Sequence, residues 1–461
     1  MNLNYEKRDV YTTLSQIEID KANQFAKNYI EFLNKVKTEY LCVEVIVDML
    51  NKAGFLDITK SDNLKPNDKV YFINKEKSLF IAVIGSDNLI NGVNIVGSHI
   101  DSPRLDLKPQ PLFESQDIAM FKTQYYGGIK KYQWLAIPLA MYGVIYNENG
   151  EKVCISIGDN ENDPCFTIAD LLPHLAKDQM KLNANEFIDP EKMSIIAGNT
   201  KNKEVKEKQV KTTVLKILNE KYNIKEIDFA RSEISFVPAF NARFVGLDTS
   251  MVGGYGQDDR VCTYANIMAL LDTITEQKDI KKTMIAMVVD KEEIGSIGNT
   301  SMNSQTFDMF INKILEKTQN TNLDKLEVYY NSCMLSADVS TAIDPDYEEV
   351  SDIQNGNILG CGISIEKYTG GSGKSSASDA NAKYVAKVMS IFEKNNIVYQ
   401  IGTLGKMGKG GGGTIAYILA NKGVEVIDCG TPILAMHSPF EVSSVYDIYM
   451  TYLGYKSFFK N

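Results

Sequence analysis

From about residue 249 to the C-terminus, short apolar runs of strand type alternate with amphipathic helical stretches. That alternation constrains the fold more than any other feature of the chain. The spacing predicts helix 260–275, strand 283–289, helix 304–317, strand 333–339 and helix 378–395. Strand 397–402, helix 413–421, strands 424–428 and 432–436 and helix 442–458 follow. Strands this apolar have both faces covered, so the expected class is α/β: a three-layer α/β/α domain with a mixed central sheet. Two N-terminal helices, 15–36 and 39–53, and strands at 70–73, 79–84 and 93–98 belong to the same domain. Residues 106–248 break the pattern with Pro109, Pro111, Pro138, short apolar runs and a lysine-rich helix at 203–222, and read as an inserted β-rich domain. The α/β domain is therefore discontinuous, 1–105 and 249–461, and a chain of 461 residues has room for two to three domains.

In open α/β sheets, sites lie just beyond the strand ends. There are three histidines, and two of them end apolar runs. His99 follows Val93–Ser98 and opens a His-x-Asp-x-Pro element with Asp101, and His437 follows Pro432–Met436. Between them lie Asp258–Asp259 at a predicted helix start, Glu292–Glu293 directly after a buried strand, and Asp338 after another. Two imidazoles and several carboxylates at strand ends suit a divalent metal, zinc above all, with cobalt or manganese also able to serve. The plainer alternatives are a satisfied strand-end histidine, a helix cap at Asp258–Asp259, a solvated loop at Glu292–Glu293 and a turn cap at Asp338. Adjacent glutamates after a buried strand argue against the plain reading, because buried carboxylates need partners. One can ligate metal while its neighbour acts as base. Asp101 can orient His99 from behind.

The stretch Gly370–Ser375 looks like a phosphate loop, but the pattern would require glycine where Tyr368 stands, so no nucleotide site is read there. Gly410–Thr414 precedes a helix; Gly412, Gly413 and Thr414 can bring backbone amides to a substrate carbonyl, or can simply form a turn. A formal charge of −10 argues against nonspecific nucleic-acid binding. No apolar stretch reaches the roughly 18 residues of a membrane span. Seven scattered cysteines, an odd number without a C-x-x-C pair, favour a reduced, cytoplasmic protein.

These elements together resemble the aspartyl aminopeptidase family, which includes vacuolar aminopeptidase I. Gly97–Pro103, Asp258–Asp259, Lys291–Ser296, Ser336–Asp338 and Ala435–Pro439 carry the resemblance, and their order and spacing extend it over essentially the whole chain. It implies a zinc exopeptidase with two zinc ions per subunit, whose inserted domain mediates dimerisation. Asp258 matches the bridging ligand, His99 and Asp338 complete one metal, Glu293 and His437 complete the other, and Glu292 matches the general base. His174 matches a histidine that the family projects into a neighbouring subunit's site; a competing view makes it a zinc ligand. The implied partners are short peptides with a free N-terminus and other copies of the chain, characteristically a tetrahedral dodecamer. Named members favour N-terminal Asp or Glu, which requires a cation such as Lys367 or Lys374; other members prefer neutral, apolar residues. The same chemistry would also serve a deacylase or carboxypeptidase, which would want an arginine clamp. Only Arg104 and Arg260 stand near the motifs. A scaffold with a degenerate site is disfavoured, since every expected ligand is present.

Overall fold

The computed structural model describes residues 3–160 and 162–461. It divides into two units. One holds the chain through Asp101, Ala242–Met436 and Phe440–Asn461; the other holds Ser102–Asn241 together with His437–Pro439. The sequence puts the borders at 105/106 and 248/249. In the structure the chain leaves the first unit after Asp101 because the next strand, Arg104–Ser115, already belongs to the inserted sheet. It has returned by Arg243–Val245, which pairs with Met251–Gly254.

The first unit is built on a nine-stranded sheet. Its order is Leu56–Asp57, Lys69–Asn74, Ser78–Val83, Met284–Val289, Asn94–His99, Cys333–Ser336, Glu425–Gly430, Ile363–Glu366 and Tyr399–Ile401. Four central strands, Met284–Val289 through Glu425–Gly430, run parallel. Ser78–Val83 and Ile363–Glu366 flank them antiparallel, which makes the sheet mixed. Apolar side chains alternate between the faces, so each face carries its own core. One core takes Val96, Val288 and Leu335 with helices Gln16–Lys35, Glu39–Lys52, Gln257–Glu276, Ala382–Lys394 and Val445–Phe459. The other takes Ile95, Met287 and Met334 with helices Thr306–Lys317, Lys325–Tyr330 and Ala416–Ala420. The three layers expected from the alternation are thus present.

Local chemistry explains the element ends. Ser15 and Glu18 form a reciprocal capping box that starts helix Gln16–Lys35. The lysine-rich helix runs Gln209–Tyr222, shorter than 203–222, because Lys208 adopts a left-handed conformation (φ 51°) at its start. The run 432–436 is a strand only over Pro432–Leu434, since Ala435 and His437 have φ of 56° and 65°. It also joins a separate five-stranded sheet, ordered Arg243–Val245, Met251–Gly254, Glu441–Ser444, Pro432–Leu434 and Ser340–Thr341. In the second unit, a six-stranded antiparallel sheet holds Lys152–Ile157, Leu139–Tyr146, Ser232–Pro238, Arg104–Ser115, Ile118–Tyr126 and Ile195–Gly198 in that order. Pro109 and Pro111 lie inside one of these strands, within the register shift between Leu107 and Leu112, where no ladder donor is needed. Among the described residues, no helix is long and apolar enough to cross a membrane.

The helix Gln257–Glu276 is buried along most of its length, including its polar residues. These stitch it to the strand that ends in His99. Thr263 Oγ1 lies 2.8 Å from Ser98 Oγ and donates to the His99 carbonyl at 2.9 Å, and Asn266 donates to the Val96 carbonyl at 3.0 Å. Thr263→Val preserves the shape and removes the donor. It is expected to destabilise the fold by about 1–3 kcal/mol, the usual cost of leaving buried acceptors unmet. Urea unfolding checks this, and an unchanged midpoint would show that the hydroxyl holds nothing.

Candidate metal centre

His99 is the last residue of its strand and is 1% exposed. Its Nδ1 lies 3.1 Å from the Asp101 carbonyl oxygen and 3.4 Å from Asp101 Oδ1. A carbonyl only accepts, so Nδ1 carries the proton. Nε2 then faces Asp258 Oδ1 at 3.1 Å and Asp338 Oδ1 at 3.7 Å. Burial pulls the imidazolium pKa down, but hydrogen bonds to Asp101, Asp258 and Asp338 outweigh it and hold the pKa well above the ordinary value. The cluster therefore demands a positive charge at Nε2, a proton or a metal.

One ligand atom each from His99, Asp258 and Asp338 lie within 4.8 Å of one another. Tetrahedral zinc with bonds near 2.0–2.1 Å needs ligand atoms about 3.3 Å apart. The separations of 3.1 and 3.7 Å straddle that value. Imidazole nitrogen with carboxylate oxygens is a donor set zinc accepts, so these residues fit the metal.

Each candidate ligand is placed by its own backbone. Asp258 and Asp259 follow Gly256 (φ 74°), depart from helical geometry, and are joined by a cis peptide. The sequence suggested that one of them caps the helix. Asp259 Oδ2 instead accepts the backbone N–H of His99 at 3.3 Å. Asp338 lies just past Cys333–Ser336, where the Ala337 N–H bonds the Gly97 carbonyl at 2.7 Å. Across from it, a Cβ on Gly430 would fall 1.8 Å from the Asp338 carbonyl oxygen, so only glycine lets the two strands meet here.

Glu292 and Glu293 open a 3-10 turn after Lys291, which is left-handed (φ 69°). Both their backbone N–H groups donate to the Asp101 carboxylate, at 3.1 Å each. Asp101 therefore fixes the turn carrying both glutamates as well as the tautomer of His99. The sequence pointed to the second role only. Burial pushes Glu292 up to about 8; the neighbouring His99 opposes this, and Asp338, Asp101 and Asp258 add to it. Such a carboxyl gives up and takes back a proton near neutrality.

His437 groups with the second unit, where its Nδ1 lies 2.8 Å from the Gly128 carbonyl oxygen. As at His99, that fixes the proton on Nδ1 and the lone pair on Nε2, the form a metal requires. His174 is exposed in the same unit, on a turn whose neighbours Leu171, Leu172 and Leu175 are 52%, 50% and 70% exposed. Lys367 and Lys374 both reach Asp379, at 2.7 Å each, and Lys374 also stands 4.1 Å over the Tyr368 ring. Gly412 accepts from the Gly370 N–H at 2.6 Å, and Gly413 is exposed. Thr414 donates to Asp428 at 2.6 Å. Residues of both glycine-rich stretches line a cavity of about 410 Å³, with Tyr368, Lys374 and Met407 in its wall. Neither arginine is placed as a carboxylate clamp. Arg260 is buried with Nε on the Ile100 carbonyl, and Arg104 pairs with Asp106 and stacks on Tyr126.

Sequence reasoning missed a second pair of buried acids, Glu366 and Asp428, which sit opposite each other in neighbouring strands. Burial raises both to about 7; Ser340 and Asn357 hydrogen bonds oppose this at Glu366, and Thr414 and Ser336 at Asp428. A folded-state value above the unfolded one, about 4 for a carboxyl, means that the folded chain binds the extra proton. Their stabilising contribution is complete below about pH 4 and is lost as pH rises through about 7. The melting temperature of the metal-stripped protein is therefore expected to fall between pH 5 and 8, and Asp428→Asn to flatten that fall. An identical slope in the variant would remove Asp428 as its source.

The family model described as aminopeptidase I zinc metalloprotease (M18) matches residues 32–459. A protein described as a probable M18 family aminopeptidase 1, from Clostridium acetobutylicum, is 47% identical over 436 residues, covering 93% of both chains. The crystal structure of an M18 family aminopeptidase from Thermotoga maritima superposes with a TM-score of 0.95 at 42% identity, covering 99% of this chain and 100% of that one. The structure of a yeast mApe1 dodecamer shares the fold, with a TM-score of 0.76 at 20% identity, covering 95% of this chain and 96% of that one.

Proposed function

The chain belongs to the aminopeptidase I (M18) family of zinc metalloproteases, and we propose that it uses two zinc ions to remove the N-terminal residue from short peptides. The observation that carries the reading is His99 Nε2, turned by Asp101 toward Asp258 and Asp338. In this reading His99, Asp258 and Asp338 hold one zinc, and Asp258, Glu293 and His437 the other. Zinc held there would supply Lewis acidity toward the attacking water and the scissile carbonyl. Glu292 takes the proton from the attacking water and delivers it to the leaving amine. The Asp101 carboxylate keeps the Glu292 backbone fixed while its side chain is protonated and deprotonated.

The N-terminal residue accepted is neutral or apolar rather than acidic, because Lys367 and Lys374 already share the Asp379 carboxylate. His174 acts on substrate in a neighbouring subunit, within a tetrahedral dodecamer. The exposed Leu171, Leu172 and Leu175 beside it support a surface covered by protein. Seven free cysteines support a reducing compartment, the cytoplasm.

The test is cleavage of aminoacyl-p-nitroanilides. Free-amine Leu is expected to be cut faster than Asp, N-acetyl-Leu not at all, and a chelator to stop the reaction. Glu292→Gln should lose about 10²–10⁴-fold in turnover, the usual contribution of a general base, while retaining zinc. Full activity in that variant removes Glu292 as base, and cleavage of the blocked substrate turns the reading to a deacylase. Light scattering is expected to give a mass many times the 51.5 kDa of one chain. A stable, active monomer would overturn the shared-site role of His174.

A further inference from the structure

Glu292 and Glu293 sit on a loop that leaves the strand Met284–Val289 at Asp290 and closes at Thr300. Their amides donate to the Asp101 carboxylate. A second set of bonds closes the base of the loop, and one hydroxyl is at its centre. Thr300 is 2% exposed; its Oγ1 accepts from Lys291 Nζ at 2.6 Å and donates to Asp290 Oδ2 at 2.6 Å. Lys291 Nζ also lies 3.3 Å from Asp290 Oδ2, so the three groups form a closed triangle. The Lys291 stem passes Gly298 on its way to Thr300: a Cβ on Gly298 would fall 3.1 Å from Lys291 Cδ. The returning end of the loop is anchored to the sheet. The Asn299 carbonyl accepts from Asn74 at 2.9 Å, and the Thr300 carbonyl accepts from Ser78. Asn74 and Ser78 face each other at the end of one antiparallel strand pair.

Lys291 has φ 69°, a conformation that non-glycine residues adopt only when something holds them there. The bonds to Asp101 act on the two residues beyond it. Lys291 itself is held by its carbonyl, which accepts from the Ser296 N–H at 2.7 Å, and by its side chain, drawn to Thr300 and Asp290. Its torsions set the direction in which the next two residues leave the strand. A hydroxyl can accept from an ammonium and donate to a carboxylate at once. Valine has nearly the same shape as threonine and can do neither; serine can do both. We propose that Thr300 is a positioning residue: by joining Lys291 to Asp290 it fixes the turn from which Glu292 reaches the attacking water and Glu293 the metal. This rests on the reading of Glu292 as base and Glu293 as ligand.

The test compares Thr300→Val, which loses the hydroxyl, with Thr300→Ser, which keeps it. Zinc affinity is read by competition with a chromophoric chelator, ligand geometry by the visible spectrum of the cobalt-loaded protein, and turnover by kcat and KM on Leu-p-nitroanilide. The melting temperature of the metal-free form reports folding. Thr300→Val is expected to lower zinc affinity and kcat by about 10-fold each, the lower end of the range for residues that orient ligands, with a changed cobalt spectrum. KM is expected to stay at the wild-type value, and Thr300→Ser to restore affinity, kcat and spectrum. A hydroxyl that only stabilises the fold would lower the metal-free melting temperature and leave the zinc affinity, spectrum and kcat of the folded protein unchanged; that result overturns the proposal. Thr300→Ser behaving like Thr300→Val also overturns it. If Thr300→Val does not fold, Lys291→Met, which keeps the stem and loses the ammonium, decides alone: the same losses are expected, and wild-type values overturn the proposal. Failure of the unmodified protein to bind zinc, or full turnover by Glu292→Gln, removes the proposed function and this inference with it. Wild-type behaviour of Thr300→Val beside an inactive Glu292→Gln removes this inference alone.

Discussion

A buried imidazole nitrogen facing two carboxylates is tolerable only when a positive charge sits between them. His99 Nε2 is in that position, with Asp258 and Asp338 in front of it and less than a tenth of each side chain exposed at His99 and Asp258. At low effective dielectric, an uncompensated cluster of this kind is among the most expensive features a fold can carry. A proton can compensate it, and the hydrogen bonds to Asp101, Asp258 and Asp338 favour the charged imidazole over burial's opposite pull. A divalent cation bound there, as proposed, would have to displace such a proton. The surrounding structure exists to hold the groups in this otherwise unfavourable arrangement.

Four parallel strands are what bring the groups together. Their C-terminal ends reach one edge of the sheet, and the register fixes the height of each: His99 lies level with Val289, and Ser336 with both Gly97 and Asp428. The chain leaves Met284–Val289 through left-handed Lys291 just before Glu292, whereas Asp258 comes from outside this sheet, after Gly256 and the strand Met251–Gly254 of the five-stranded sheet. Asp101 ties two strand exits together, since one carboxylate meets both the His99 ring and the amides of Glu292 and Glu293. Loss of Asp101 would thus disturb both the proposed ligand His99 and the proposed base Glu292 at once.

The sequence was informative where the signal is local. Doubly buried strands such as Met284–Val289 are apolar at every position, so they stand out without knowledge of their neighbours. His99, Asp258, Glu292, Glu293 and Asp338 stood out because charged groups directly beyond such strands have few structural reasons to be there. What stayed hidden depends on pairing across the chain. Pro432–Leu434 looks like any other strand of the alternation, yet its partners are Ser340–Thr341 and Glu441–Ser444, in a different sheet. Asp428 and Glu366 each read as one acid in an apolar run; only the antiparallel register makes them neighbours. Pro109 and Pro111 marked the start of the inserted domain, but the strand that holds both was not legible: the register shift that accommodates them is a property of the hairpin, not of either residue.

The glycine-rich segments Gly370–Ser375 and Gly410–Thr414 have a plain structural use: their glycines let two chain segments touch. Gly411 has φ 133°, and a Cβ there would fall 2.2 Å from the Gly370 carbonyl oxygen. The Gly370 N–H to Gly412 carbonyl bond can form only because that approach is open. The lysines beside them follow the same logic. With 43–46% of each side chain exposed, the Lys367–Asp379–Lys374 group adds little to stability. Its consequence is electrostatic: two ammonium groups and one carboxylate leave a net charge of about one, spread over both lysines. If these lysines face the substrate, as proposed, an incoming carboxylate would have to compete with Asp379, whereas a neutral side chain would not.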